Sequence, residues 1–498
     1  MTRDQSYACL CAQGGELQCF HSALSLLWWD EETGMPPKAL AWRSRQVEAI
    51  AAYVHRRFAA PEVGSWIAAC EDSPFPQGSV EQANVVLWRE EYDRAVKLPA
   101  EHVAEEAATG SMARAAWAEA RRNNDFAAFL PWLGKQVDLR RRRADFLGYA
   151  DHPYDALLAE YERGTTTREV VALFDRLRPE LAAITAAAAE RSRSVPAGLL
   201  AGEYPVDRQA AFNREVAEAI GFDFEAGRID TTTHPFCSRI SPGDVRLTTR
   251  YRRDDFTESL LGVLHEAGHG LYEQGLPEAE AGRPVGSAVS LGVHESQSRL
   301  WENHVGRSRA FWEKWLPRAA SYFPHLARLG PADVAAALTR CEPGFIRVGA
   351  DEASYDLHIL LRFGLEVELV AGTLAPRDVP DAWNERFRDL LGLTVPDPAH
   401  GCLQDIHWAM GSIGYFATYT LGNLLAAQLV QAARQGDPSL DRAWAAGDFG
   451  PLLAWVRQRI HRRGSLLAPK DLVEEATGSP LRPDAFLIHL RNRYLGGN

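Results

Sequence analysis

Near the middle of the chain, Leu264-His265-Glu266-Ala267-Gly268-His269-Gly270-Leu271 restricts the fold more than any other stretch. Leu260, Leu261, Leu264, Ala267 and Leu271 recur at helical spacing, and Gly275-Leu276-Pro277 supplies a stop, so the segment predicts an amphipathic helix. Residues four apart on a helix are about one turn apart, a rise of roughly 6 Å, so His265 and His269 share a face. Two imidazoles so placed can hold two corners of a tetrahedral zinc ion. Glu266 lies about 100° around the helix, beside the metal and not on it, where it could take a proton from a metal-bound water. The plainer alternative is two histidines that happen to lie one turn apart.

A catalytic metal of this type needs a third protein ligand. Leu291-Gly292-Val293-His294-Glu295-Ser296-Gln297-Ser298-Arg299 offers His294 and Glu295, with 25 residues intervening between His269 and Glu295. Glu295 is the expected ligand because a carboxylate completes a His₂Glu set. His294 is expected to orient a ligand or to pack nearby.

The rest of the sequence fixes the setting. A chain of 498 residues can bury a large core, and its formal charge of −12, with no sustained basic stripe, argues against nucleic acid as a partner. Arg140 to Arg143 is a basic run in helical, mixed-charge surroundings and reads as a solvated face. Seven cysteines without a CxxC pair fit reduced thiols. No signal-like N-terminus and no apolar run of about 20 residues appears, so a soluble cytoplasmic protein is expected, with no membrane partner.

Most segments read as helix: Leu17 to Trp29, Lys38 to Phe58, Gln82 to Ala95, a run from Glu101 to Leu147, Thr167 to Ser192 and Val206 to Gly221. Arg228 to Ile240 and Val245 to Tyr251, separated by Ser241-Pro242-Gly243-Asp244, read as a hairpin just before the histidine helix. After Leu276 the pattern is helical almost to the end. The expectation is a mainly α fold with a small β-sheet next to the site, as one unit over residues 1–498 or as two helical lobes around a cleft.

Five motifs carry a resemblance. His265-Glu266-Ala267-Gly268-His269, His294-Glu295-Ser296-Gln297, Asp244-Val245-Arg246-Leu247-Thr248, Ile346-Arg347-Val348-Gly349-Ala350-Asp351 and Gly401-Cys402-Leu403-Gln404-Asp405-Ile406-His407-Trp408 resemble those of the thermostable (Taq-type) metallocarboxypeptidase family. Trp29-Asp30-Glu31-Glu32-Thr33-Gly34-Met35-Pro36-Pro37 and Tyr154-Asp155-Ala156-Leu157-Leu158 are similar to family sequence as well, so the resemblance spans nearly the whole chain. One departure is Ala417, where the family pattern leads us to expect proline. The resemblance implies a dimeric, groove-containing helical body of the zincin type, akin to neurolysin. It also implies zinc, or cobalt, as the metal. The implied activity is removal of single residues from peptide C-termini, with broad specificity and terminal proline disfavoured.

Residue chemistry adds candidates. A developing oxyanion needs a donor besides the metal, and Tyr415 is the favoured one, with Tyr419, His407 and His234 as other donors on the substrate side. A free carboxylate suits a guanidinium, and one of Arg246 and Arg347, each inside a matching motif, is expected to hold it. Gln404 and Asp405 are expected to shape the end of the groove or to orient ligands, and Asp351 to be structural. Two alternatives remain: an oligopeptidase cutting internal bonds, which needs no terminal-carboxylate reader, and a catalytically silent metal-binding scaffold.

Overall fold

Helices built on local signals make up most of the computed structural model, which describes residues 1–496. Thr166 accepts from the Glu169 amide while Glu169 returns to the Thr166 amide, a reciprocal cap that starts helix Thr167–Ser192. The region from Glu101 to Leu147 is two helices, Ala100–Asn123 and Phe126–Leu147. Asn124 ends the first in the left-handed region, at φ 55°, and the side chain of Asp125 caps the second. A further helix, Pro61–Asp72, lies where the sequence pattern gave no signal, and its Val63, Ile67 and Cys70 pack against Leu10 of the long first helix, Arg3–Thr33.

The β-region differs from a simple hairpin. It is a three-stranded sheet of β1 (Gly227–Thr231), β2 (Cys237–Ser241) and β3 (Asp244–Thr249), ordered β1-β3-β2. The hairpin is β2–β3, antiparallel, while β1 runs parallel to β3 in the register Gly227↔Val245 to Thr231↔Thr249. The Thr-rich stretch from Arg228 therefore holds two strands, parted at Thr232–Phe236, where Pro235 interrupts the ladder. Val245 and Leu247 point into the core below, and Arg246 sits on the alternate face.

Two large apolar cores share the helix Ala417–Gly436. Its Leu425, Leu429 and Val430 join the core around the histidine helix, Thr257–Gly275, while Leu421, Leu424 and Ala427 join the core around Glu352–Ala371. Leu260, Leu264 and Leu271 of the histidine helix are fully buried, each adding about 1.5–3 kcal/mol of transfer free energy. That anchors one stripe of the helix and leaves the adjoining stripe, with the two histidines, facing the next helix. Ala417 is the first residue of its helix, where proline is also favoured, so alanine keeps the same backbone course.

Candidate active site

Two helices meet at backbone distance to build the site. Helix Leu291–Arg299 starts on Ser290, whose hydroxyl accepts from the Val293 amide at 3.2 Å, while the buried Glu162 carboxylate accepts from the Gly292 amide. This helix crosses Thr257–Gly275 where the latter has Gly268. A Cβ there would lie 2.5 Å from the Gln297 carbonyl oxygen and 2.6 Å from Ser298 Cα. On the other side, a Cβ on Gly422 would lie 2.6 Å from Glu295 Cβ. Glycine at both positions lets three helices close on the same carboxylate.

The structure brings His265, His269 and Glu295 together, with candidate donor atoms all within 4.8 Å of one another. Glu295 Oε2 is 3.7 Å from His265 Nε2 and 3.5 Å from His269 Nε2. A tetrahedron with bonds of ~2.1 Å has edges of ~3.4 Å, so one cation fits among these atoms. Glu295 Oε1 is turned away, accepting from Arg299 Nε at 2.7 Å, and Ser298 Oγ donates to Oε2 at 3.1 Å.

The outer hydrogen bonds direct the imidazole lone pairs. Glu302 Oε2 accepts from His265 Nδ1 at 2.9 Å, which leaves Nε2 as the unprotonated nitrogen facing Glu295. On the other side, Glu273 Oε1 accepts from His294 Nε2 at 2.8 Å, so His294 Nδ1 carries a lone pair. The His269 Nδ1–H lies 2.6 Å from that nitrogen and 3.0 Å from the His294 carbonyl oxygen, and is shared between them. His269 Nε2 is thereby also left as an acceptor toward Glu295. His294 packs on His269 and shares its Nδ1–H. This donor set, two imidazoles and a carboxylate with their remote atoms hydrogen-bonded, fits a divalent cation.

Charge settles around the same groups. Burial pushes Glu302 up, but Arg299, the His265 hydrogen bond and Arg307 outweigh it and hold the carboxyl well below the usual range. Burial pulls His265 down, yet Glu295 and Glu302 reverse this and raise it. Burial, with His294 and His265 alongside, holds His269 well below the usual imidazole range. Glu266 is buried beside the histidines and makes no side-chain hydrogen bond among the described residues. Burial is the main cause that pushes it up to about 7, with Glu295 adding to the rise and His265 opposing it. A bound cation would draw it down again.

With the fold and the site in view, comparison with known proteins is decisive: the family model described as Carboxypeptidase Taq (M32) metallopeptidase matches residues 10–494. The chain belongs to that family. It is a metallocarboxypeptidase, related to thermostable carboxypeptidase 1 of Thermus thermophilus, 43% identical over 505 residues and 99% of each chain. The protein of the same name from Pyrococcus furiosus is 37% identical over 490 residues and 95% of each chain. The crystal structure of the M32 carboxypeptidase from Deinococcus radiodurans superposes with a TM-score of 0.95 at 38% identity, covering 98% of this chain and 99% of that one.

The remaining candidates of this carboxypeptidase fall into three places. Arg347, Tyr415, Tyr419 and His407 cluster. Arg347 lies over the Tyr419 ring at 5.1 Å, Tyr415 and Tyr419 rings are 5.3 Å apart, and His407 Nε2 is 3.4 Å from the Tyr419 hydroxyl. Burial pushes Tyr415 up to about 12, with Glu295 also raising it, and pulls His407 down to about 4. Arg246 lies apart on β3, bidentate to Asp244 through two 2.8 Å bonds and 5.5 Å from the Trp29 ring. His234 is exposed in the turn between β1 and β2.

Arg347 is itself engaged. Its Nε and Nη2 donate to Asp405 Oδ1 at 3.0 and 2.8 Å, and Nη1 donates to the Tyr355 hydroxyl at 3.0 Å. Asp405 Oδ2 accepts from the buried Arg362 at 2.6 Å, and Gln404 Oε1 accepts from the Arg347 amide at 2.8 Å. Asp351 caps helix Glu352–Ala371, accepting from the amides of Ala353 and Ser354, a structural role as expected. Glu302, Arg299, Glu273 and Tyr355 were not singled out from sequence. Arg299, whose guanidinium lies 4.7 Å over Tyr355, links the Glu295 carboxylate to the tyrosine–arginine cluster.

Proposed function

We propose that this carboxypeptidase removes single amino acids from the free C-termini of short peptides, with broad specificity, as one catalytic unit in the reducing cytoplasm. The approach of Glu295 Oε2 to both histidine Nε2 atoms, at 3.7 and 3.5 Å, is the observation that carries the reading. We assign His265, His269 and Glu295 as metal ligands and zinc as the metal, with cobalt able to replace it. The cation, when bound, supplies Lewis acidity toward the scissile carbonyl and the attacking water.

The chain's own residues do the rest. Glu266, the helix neighbour of His265, would be ionised with the cation bound beside it, and as a carboxylate it accepts the proton of the attacking water and passes it to the leaving amine. Tyr415 keeps its phenolic proton, since burial raises it, and can donate a hydrogen bond to the oxyanion as negative charge develops. Tyr419 and His407 flank it, and Arg347 or Arg246 binds the substrate carboxylate, with His234 as a further candidate donor. Arg347 is held by Asp405 and Tyr355, so it offers a fixed positive charge and no free fork. Arg246 Nη1 has no hydrogen-bond partner among the described residues, and this favours Arg246 for a direct contact. All seven cysteines are free, in keeping with a reducing compartment. No helix of the described residues is long and apolar enough to cross a membrane. We further expect a homodimer.

The test compares one short peptide as free acid and as C-terminal amide, with zinc, with cobalt and after chelation, identifying products by mass. Stepwise loss of single residues from the free acid alone, abolished by chelation, supports the proposal. Equal internal cleavage of both peptides would replace it with an oligopeptidase. Bound metal without cleavage of either would leave the substrate class open.

A further inference from the structure

Outside the metal centre lies a cavity of about 830 Å³, a volume suited to a small organic ligand and far beyond a single ion. Five arginines line it, Arg191, Arg307, Arg309, Arg434 and Arg493, and none of the described lining residues is acidic. Carboxylates outside this lining engage one part of three of the guanidiniums, while Arg307 is held at all three nitrogens by Asn303, Leu338 and Glu302. Glu352 Oε2 takes Arg493 Nη1 at 2.8 Å, Asp441 takes Arg434 Nε at 2.8 Å, and Glu313 takes Arg309 Nε at 3.0 Å. Among the described residues, the terminal nitrogens of Arg434 and Arg309, and Nε and Nη2 of Arg493, make no hydrogen bond, and the Arg434 guanidinium lies 5.1 Å over the Trp444 ring.

A second observation points to an occupant. His304 lines the same cavity, and its ring makes no hydrogen bond among the described residues and is open to whatever enters the cavity. Its ring lies against His489, with centroids 3.9 Å apart, and His489 is already committed through Nε2 to Glu352. The rest of the lining includes Ala335, Ala336 and Val430, an apolar stretch beside the cations.

We propose that this cavity binds a small organic anion of two or more charges, a phosphate ester or a polycarboxylate, on the free guanidinium nitrogens and the ring of His304. Planar guanidinium donors match both oxyanions, and the alanine–valine stretch accommodates the carbon skeleton. The site communicates with the metal centre through Arg307. That residue lines the cavity and donates through Nη2 to Glu302 Oε1 at 2.9 Å, while Glu302 Oε2 holds His265 Nδ1. An anion bound beside Arg307 shares its positive charge and weakens the pair that orients His265; this second step rests on His265 being a metal ligand.

Calorimetry on the metal-loaded protein tests the site, with AMP as the phosphate ester and tricarballylate as the polycarboxylate, neither a strong zinc chelator. One saturable site with Kd below about 1 mM is expected, and which anion binds tells the two sources apart. Binding should weaken at least tenfold in Arg434→Gln, and likewise in Ala336→Glu, which keeps every arginine and adds a carboxylate to the wall. No saturable binding of either anion, or unchanged affinity in both variants, overturns the proposal. Metal release to a chelator then tests the link. Release that quickens at saturating anion in the parent protein, and not in Ala336→Glu, supports it; an unchanged rate refutes the link alone. Calorimetry uses no peptide turnover, so failure of the peptidase reading and failure of the cavity are separately visible.

Discussion

Replacing Glu302 by glutamine isolates the outer hydrogen bonds of the metal centre without adding bulk. The wild-type carboxylate takes three donors: His265 Nδ1 at 2.9 Å and Arg299 Nη1 at 3.2 Å on Oε2, and Arg307 Nη2 at 2.9 Å on Oε1. An amide can satisfy only one side. With its oxygen toward His265, its NH₂ meets the Arg307 donor. Turned the other way, its NH₂ donates to His265 Nδ1 and moves the imidazole proton to Nε2, the atom proposed to bind the metal. Loss of an outer partner of this kind weakens metal affinity by about 10- to 100-fold, or ~1.4–2.7 kcal/mol. Leaving two buried guanidiniums short of charge costs about 3–5 kcal/mol of stability. Zinc affinity by competition with a chelating dye, and urea unfolding of the metal-free protein, measure the two separately. Because Glu302 is held below its ordinary value of 4.5, its stabilisation is complete at neutral pH and fades as pH falls below about 5, so the stability gap to the variant should narrow there. A folded variant with parental zinc affinity at pH 7 would refute the argument that Glu302 sets the His265 tautomer.

Three further outcomes follow from the same geometry. Glu266→Gln should keep stoichiometric metal and lose about 10²- to 10⁴-fold in kcat; near-parental turnover would remove Glu266 from the base role. Gly268→Ala should force the two site helices apart, because its Cβ meets the Gln297 carbonyl oxygen at 2.5 Å, and a melting temperature and zinc affinity both equal to the parent's would contradict that contact. Glu366, buried and accepting from Tyr154, Trp408 and Gly414, is pushed up by burial from 4.5 to about 7. The folded state therefore holds its proton more tightly than the unfolded chain, and this group removes stability as pH rises from about 4.5 to 7, by ~1.4 kcal/mol per unit at most. Glu366→Gln should flatten that part of the stability–pH curve, and an unchanged slope would count against it.

The two histidines were legible because one helical turn fixes their mutual placement whatever surrounds them. Glu295 was legible only as one of two adjacent candidates, and chemistry chose between them. Partner choice was not legible. Arg347 and Arg246 stand in suggestive motifs, but their commitments to Asp405 and Asp244 depend on how the chain folds back. The strand β1 was hidden because its parallel partner β3 is reached only after β2 has intervened, a non-local pairing with no turn signature. By contrast, the helix break at Asn124-Asp125 was written in the sequence as a left-handed former followed by a capping residue, and it was overlooked inside a strongly helical composition. Arg307 had no signal at all, since it lies five residues beyond Glu302, a spacing that is off-phase for an α-helix.

That five-residue spacing comes from backbone winding. Beyond Arg299 the helix continues as a π-helix through Leu300–Gly306, and the Arg307 amide reaches back to the Glu302 carbonyl at 3.2 Å. A π-turn holds an extra residue relative to an α-turn. Removing one residue between Glu302 and Arg307 would let the segment rewind as a regular α-helix, and the missing residue and the tighter winding would offset one another, so the flanking residues stay nearly in phase. The arginine would then stand at the i, i+4 spacing from Glu302, still within reach of its carboxylate. At this point the chain can absorb a change of length, and single-residue deletions should be tolerated better here than inside helix Leu291–Arg299, where no wider turn is present to take them up.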